Sequence, residues 1–420
     1  MIRMKKIKSF IYSICKNNVF FRKCAREVKY FLEKRKYAKY KNKYKTDEKL
    51  VLFECFDGRS YADSPKAMYL EMLKNKKYKD YHFIWCFNDI DSKEHKVLEE
   101  NRNTSLVKSG SDEYFKAFAK AKYWIVNAKV NDGIVPRNDQ VFVQTWHGTP
   151  LKKLRCDIEV DSSFNSVSEI RRRNDIDSKR YSYFISPSKF CTDKFNSSFN
   201  LLNLHKKNII IEKGYPRNDF LFNFKDSDVK NIKAKLEIKS NKKIILYAPT
   251  FRDNQRSSYE GYTYNLGVDF DKWKKSLSKD YIVLFRTHYF ISNSIDLSKY
   301  KDFIYDVSSY DDVNDLYVIS DLIITDYSSV FFDYANLKRP MLFYMYDKEE
   351  YKEKMRDFYI DLDELPGPIT EKEDELLKEI KNISSYDKKY KKKYDLFNKK
   401  YNYLDGSDCS RKVLEVIIDE

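Results

Sequence analysis

Glycine and histidine are scarce in this chain. It holds nine glycines and five histidines in 420 residues, where glycine alone ordinarily takes about 7% of positions. Neither a Gly-x-Gly-x-x-Gly fingerprint nor a P-loop is present, and no His-Glu-x-x-His occurs. The seven cysteines (Cys15, Cys24, Cys55, Cys86, Cys156, Cys191, Cys409) are odd in number and scattered, with no Cys-x-x-Cys pair. That spacing indicates neither a disulfide framework nor a zinc site, and it fits a reducing cytoplasm. Asp311-Asp312 reads as a helix-capping pair rather than a cation site, so no metal is expected. No apolar run approaches the roughly 18 residues of a membrane-spanning helix. The first residues also lack the apolar core and cleavage site of a secretory signal.

The chain is rich in other things. It is 42% hydrophobic and 16% aromatic, which makes it globular, and its length exceeds what one core usually serves, so two domains are expected. The net charge is +16, but residues 1–46 carry 16 Lys/Arg against only Glu27 and Glu33. The remaining body is almost neutral, which argues against a nucleic-acid footprint. Within 1–46 the basic residues interleave with Ile2, Ile7, Phe10, Ile11, Ile14, Val19, Phe20, Phe21, Val28, Phe31 and Leu32. That pattern predicts a basic amphipathic helix lying on an anionic membrane surface. Because strand-like sequence begins only near Lys49, deleting 1–46 is expected to leave the body folded.

From there short β-branched and aromatic runs alternate with charged helical stretches. The runs fall at 49–56, 81–87, 105–109, 123–128, 141–146, 183–188 and 208–214, then at 243–250, 281–288, 302–308, 321–329 and 341–347. Many are continuously apolar, as parallel strands buried on both faces must be. The class is α/β, with two doubly wound, Rossmann-like domains: 47–220, and 221–420 with its C-terminal helix. The Lys/Tyr-rich stretch 386–403 reads as a solvated helix.

Strand after strand ends in a polar cluster, at the edge where open α/β sheets bind ligands. The clusters are His147-Gly148-Thr149, Ser186-Pro187-Ser188, Gly214-Tyr215-Pro216-Arg217-Asn218-Asp219, Pro249-Thr250-Phe251-Arg252, Arg286-Thr287-His288 and Thr325-Asp326-Tyr327-Ser328-Ser329. Six at one edge, drawn from both domains, point to a single cleft between them. Arg286 and His288, two apart on a strand end, could each hold a phosphate oxygen. Ser328-Ser329 opens the helix that contains Asp333, and reads either as an anion site or as an ordinary N-cap. Arg217 and Arg252 follow turn residues and read either as ligands or as surface arginines. Gly-Thr-Pro after His147 reads either as a plain turn or as a placed catalytic loop. His82, His95 and His205 have no such surroundings and read as structural or exposed.

Taken in order, "SYADSPKAMY", "TWHGTPLKKL", "ISPSKF", "GYPRNDFL", "YAPTFRDN", "FRTH", "TDYSSVFFDYANLKRPMLFYMYD" and "DGSDCSRKVLEVI" resemble the CDP-glycerol glycerophosphotransferase family, the teichoic acid primases and polymerases. The resemblance covers roughly residues 50–418. It implies a GT-B architecture and a peripheral enzyme on the cytoplasmic face of the membrane. It also implies a CDP-glycerol donor, and a lipid-linked polyprenyl-diphosphate glycan or growing polyol-phosphate polymer as acceptor. No cofactor is implied; the alternative is a ribitol-phosphate transferase using CDP-ribitol, or a capsular polymer transferase of the same fold. Carried over residue by residue, it makes His147 the general base, with His288 beside it. Gly148, Thr149, Arg217, Pro249, Thr250, Arg252, Arg286, Thr287, Ser328, Ser329 and Asp333 then line the substrate site. One departure is the first-strand loop, "ECFDGRSYADSP", where Asp57 and Arg59 make it more charged than is usual in relatives.

Overall fold

The protein is described by a computed structural model covering residues 19–160, 166–205, 207–250, 256–257, 261–262, 267–287, 296–349 and 358–419. Its first sheet contains β1 (Asp47–Glu54), β2 (His82–Phe87), β3 (Thr104–Lys108), β4 (Ala121–Val126), β5 (Val141–Gln144), β6 (Tyr183–Ser186) and β7 (Ile210–Glu212). These run parallel in the order β3-β2-β1-β4-β5-β6-β7. The second chain segment gives β8 (Lys243–Ala248), a small β9–β10 hairpin (Arg256–Ser257, Gly261–Tyr262), β11 (Tyr281–Phe285), β12 (Ile304–Asp306), β13 (Leu322–Thr325), β14 (Met341–Tyr344) and β15 (Ile369–Thr370). Its parallel sheet is ordered β12-β11-β8-β13-β14-β15. Strand order reverses direction between β1 and β4 and again between β8 and β13, and such switch points are where doubly wound sheets open a crevice.

All twelve strands expected from the sequence are present. Most end sooner than expected, because the polar residues after each apolar run leave the sheet as loops. The hairpin and β15 were not foreseen, since two-residue strands carry no periodic signal. Alternate residues of the first sheet feed two separate cores: Val51, Phe53, Trp85 and Ile125 on one face, Leu50, Leu52, Trp124 and Phe142 on the other. In the second sheet, residues 244–248, 281–285 and 322–324 form the middle of one core. The helix Tyr386–Tyr401 buries Tyr386, Tyr394, Phe397 and Tyr401 against that core. It is solvated on its lysine face only, which corrects the expectation of a fully solvated helix.

Two terminal elements cross the expected divisions. The last helix, Cys409–Asp419, places Val413, Leu414 and Ile417 in a core of the first domain, not the second. Asp219 receives the backbone N–H groups of Cys409 and Ser410 at 2.7 and 2.8 Å and so fixes that helix's start. At the other end, the helix Val19–Lys43 is anchored through its second half. Tyr37 is buried in the first domain, Lys36 pairs with Asp112 at 2.9 Å, and Arg137 donates to the Lys41 carbonyl at 2.7 Å. Residues 36–46 therefore belong to the first domain, and the expectation that 1–46 is a removable unit is corrected accordingly. Val28, Phe31 and Leu32, by contrast, are exposed. Among the described residues no helix is long and apolar enough to cross a membrane.

Candidate active site

The loops leaving β1, β5, β7, β8, β11 and β13 meet between the two sheets. After β5 the Gln144 side chain accepts the Trp146 N–H at 2.9 Å. Trp146 itself turns at φ +53°, a left-handed conformation that costs a non-glycine residue roughly 1–2 kcal/mol. Such strain persists where surrounding structure holds it, commonly at functional sites. Here it directs His147 into the cleft. The imidazole stacks on Trp146 with ring centroids 4.1 Å apart and has Phe56 at 5.8 Å. The side chain is exposed to solvent at the cleft. Neighbouring chain that crowds the ring, with the positive charges of Arg217, Arg155 and Arg59, lowers its pKa below the usual histidine value. At neutral pH the ring is uncharged and able to accept a proton.

Gly148 has a steric reason to be glycine. A Cβ there would stand 2.9 Å from Oγ of Ser329, which lies at the start of the helix Val330–Tyr334 in the opposite domain. The two domains touch at this point, beside the histidine. Thr149 is buried and packs its hydroxyl 3.6 Å from the Cys191 thiol. It supports the loop from behind rather than facing the cleft.

Arg217 and Asp333 were both expected to line the substrate site, and the structure joins them to each other. The guanidinium of Arg217, just after β7, grips Asp333 with Nε–Oδ2 at 3.1 Å and Nη2–Oδ1 at 3.0 Å. Both are buried. Asn218 adds a bond to Asp333 at 3.0 Å, and Asn314 donates to the Arg217 carbonyl at 2.5 Å. Asp63 stands 3.5 Å from Arg217 Nη1, and the guanidinium lies 3.8 Å above the Tyr215 ring. Sequence reasoning missed Asp63, Asn314 and Arg155, because no local pattern marks a residue whose partner is distant in the chain: Asp63 meets Arg217, Arg155 meets Asp177, and Asn314 reaches Arg217 from the other domain. A second cross-domain contact joins Lys66 to Asp312 at 2.7 Å, and a third joins the Tyr61 N–H to Asp311 at 3.1 Å. Asp312 also caps its own helix through the Asn314 N–H, as expected.

On the second domain's edge, Asp326 accepts both the backbone N–H and the hydroxyl of Thr250, tying the end of β8 to the end of β13. Pro249 and Thr250 are half-buried beside it. Ser328 and Ser329 stand half-exposed at the helix start, and the Ser329 side chain makes no capping bond. The helix is only five residues long. Arg286 directs Nη1 to the carbonyls of Val307 and Tyr310 at 3.0 and 2.6 Å. Its neighbour Thr287 is buried, with a hydroxyl that meets no partner among the described residues. Arg252 and His288 lie outside the described residues. Of the histidines set aside, His95 stacks on Phe87 at 3.8 Å and bonds the Asp89 carbonyl, His205 bonds the Ser178 carbonyl, and His82 is exposed.

A family model described as CDP-glycerol:poly(glycerophosphate) glycerophosphotransferase matches residues 36–419. The chain belongs to this family. It is 38% identical over 407 residues to the teichoic acid poly(glycerol phosphate) polymerase of Staphylococcus epidermidis, covering 94% of this chain and 55% of that protein. It therefore spans little more than half of that relative. Against the teichoic acid glycerol-phosphate transferase of Staphylococcus aureus it is 34% identical over 395 residues, with 93% of this chain and 98% of the relative covered. The solved structure of the wall teichoic acid polymerase TagF superposes with a TM-score of 0.82 at 37% identity, covering 95% of this chain and 97% of that one. The chain shares with that structure the arrangement of two parallel sheets about one cleft. The residues at its cleft fall within the matched span.

Proposed function

We propose that this glycerophosphotransferase moves glycerol phosphate from CDP-glycerol to a hydroxyl of a lipid-linked or polymeric teichoic acid acceptor, releasing CMP. The observation that carries the reading is the His147 ring, stacked on Trp146 and presented at the cleft where Gly148 meets Ser329 of the opposite domain. In the reaction the acceptor oxygen bonds to the glycerol-side phosphorus. The bond from that phosphorus to the bridging oxygen breaks, and CMP leaves with the electron pair. The hydroxyl proton goes to His147. Phosphoryl transfer asks the protein mainly for positioning and charge stabilisation. Arg286, Thr287, Ser328 and Ser329, with Pro249 and Thr250 beside them, serve the donor phosphates, joined by Arg252 and His288 as the family resemblance implies. Arg217 and Asp333 support the site by holding its two halves together. The phosphate charge is met by these groups without a metal ion, so chelation with EDTA is expected to leave turnover unchanged.

The same reading places the enzyme on the cytoplasmic face of the membrane. Support comes from the exposed Val28, Phe31 and Leu32, which lie among Arg26, Lys29, Lys34 and Arg35 on one helix. Apolar residues set among cations on one helix suit an interface rich in anionic lipid. The deciding experiment follows CMP release with CDP-glycerol and CDP-ribitol in parallel, using a lipid-linked acceptor. Release from CDP-glycerol is expected. Release only from CDP-ribitol would reassign the donor, and no release from either would remove the transferase reading.

A further inference from the structure

The loop that follows β5 runs on past the histidine into the opposite domain. Four positions after His147, Leu151 is buried in the hydrophobic core of the second domain. Lys152 then forms an antiparallel bridge with Phe358, and the Tyr359 N–H donates to the Leu151 carbonyl at 2.8 Å. The Tyr359 hydroxyl accepts the Leu154 N–H at 3.0 Å and donates to the Asp157 carboxylate. Ser197, on the first-domain helix Lys189–Ser198, donates to the same carboxylate oxygen at 2.7 Å. Burial and that carboxylate raise the pKa of the phenol, so it stays a donor at neutral pH. Residues 151–157 are thus tied to the second domain, by an apolar anchor and a set of hydrogen bonds, although their chain leaves the first.

The neighbouring Phe358 reaches the donor edge. Its ring stacks on Tyr327, with centroids 5.9 Å apart. Tyr327 is buried and directly precedes Ser328 and Ser329, and Ser329 is the residue that meets Gly148. The histidine loop and the serine loop are therefore joined twice, once directly and once through Phe358 and Tyr359. A loop held at one point pivots, whereas a loop held at two keeps its orientation.

We propose that Tyr359 is a positioning residue for the transfer, fixing the His147 loop of the first domain against the Ser328–Ser329 loop of the second. The proposal rests on the reading of His147 as the base. Tyr359 touches no reacting group and acts only through the loop it holds. Misplacing a catalytic group by about 1 Å costs on the order of 100-fold in rate, so a hold of this kind bears on kcat more than on donor binding.

Tyr359→Phe tests this on the full chain. It keeps the ring, over which Lys194 stands at 5.1 Å, and removes the hydroxyl that serves Leu154 and Asp157. The kcat for CMP release should fall about tenfold, the scale of one lost hydrogen bond, while the KM for CDP-glycerol stays constant. The acid limb of kcat/KM should move toward the ordinary histidine value, because a loosened ring is less crowded. Hydrogen exchange read by mass spectrometry, which needs no turnover, should rise over residues 146–154. In a His147→Ala background the same change should cost little further kcat, since the group it positions is gone. Unchanged exchange with unchanged kcat, or an equal loss of kcat when His147 is already removed, overturns the proposal and leaves the base reading standing. Raised exchange in Tyr359→Phe with near-normal turnover of His147→Ala would keep Tyr359 as the holder of the loop and sink the base reading instead.

Discussion

Arg217 in the first domain and Asp333 in the second form a buried, two-pronged ion pair, 3.1 and 3.0 Å long, across the cleft. Removing one partner from such a pair leaves the other charge stranded. Asp333→Ala is expected to destabilise the chain by about 3–5 kcal/mol, read by urea unfolding. The double change Arg217→Met with Asp333→Leu should cost clearly less than the sum of the single changes, because it removes both charges together. Additive costs would show that the pair carries no coupling.

His147→Ala should lower kcat by about 100-fold or more, the usual scale for a lost general base, while CDP-glycerol affinity changes little. The comparison needs only CMP release and a donor titration on folded protein. Near-normal turnover would take the histidine out of the reaction.

The lowered pKa of His147 sets the pH profile. A base works when deprotonated, so activity is present above its pKa and lost as pH falls through it. In the free enzyme crowding and the nearby arginines lower that pKa, so the acid limb of kcat/KM should lie below the ordinary histidine value near 6.5. A bound diphosphate brings negative charge toward the ring and its arginines, which favours the imidazolium. The acid limb of kcat should therefore lie at higher pH than that of kcat/KM. Coincident limbs near 6.5 would mean that neither the crowding nor the arginines act on the ring.

A methyl group at Gly148 meets Oγ of Ser329 at 2.9 Å, a rotatable hydroxyl that can turn aside, so Gly148→Ala should lower turnover only mildly. Adding Ser329→Ala removes that oxygen and should restore part of the lost activity. If the double variant is no better than Gly148→Ala, the two domains do not need this close approach.

Truncation should divide the N-terminal region in two. Removing residues 1–35, which stops short of the buried Tyr37, should lower the unfolding midpoint less than removing 1–46. Removing 1–46 should lower stability by about 2–4 kcal/mol, since the buried Tyr37 ring and its packing are lost. Urea unfolding distinguishes the two, and equal midpoints would show that residues 36–46 contribute nothing to the first domain.

What the sequence determined by itself was whatever is written locally. The continuous apolar runs gave twelve strands, the polar clusters after them gave the functional edge, and the ordered motifs gave the family. Pairing across the cleft was not local. Nothing in "GYPRND" says that its arginine spends its charge on Asp333, more than a hundred positions away, instead of facing solvent or a phosphate. Likewise, Tyr359 meets the loop after His147 from the opposite domain, and the last helix covers the first domain although it follows the second. Local pattern reports which face of an element is apolar or which turn is tight. Which surfaces then meet depends on closing long stretches of chain around two cores, and only the tertiary structure decided that.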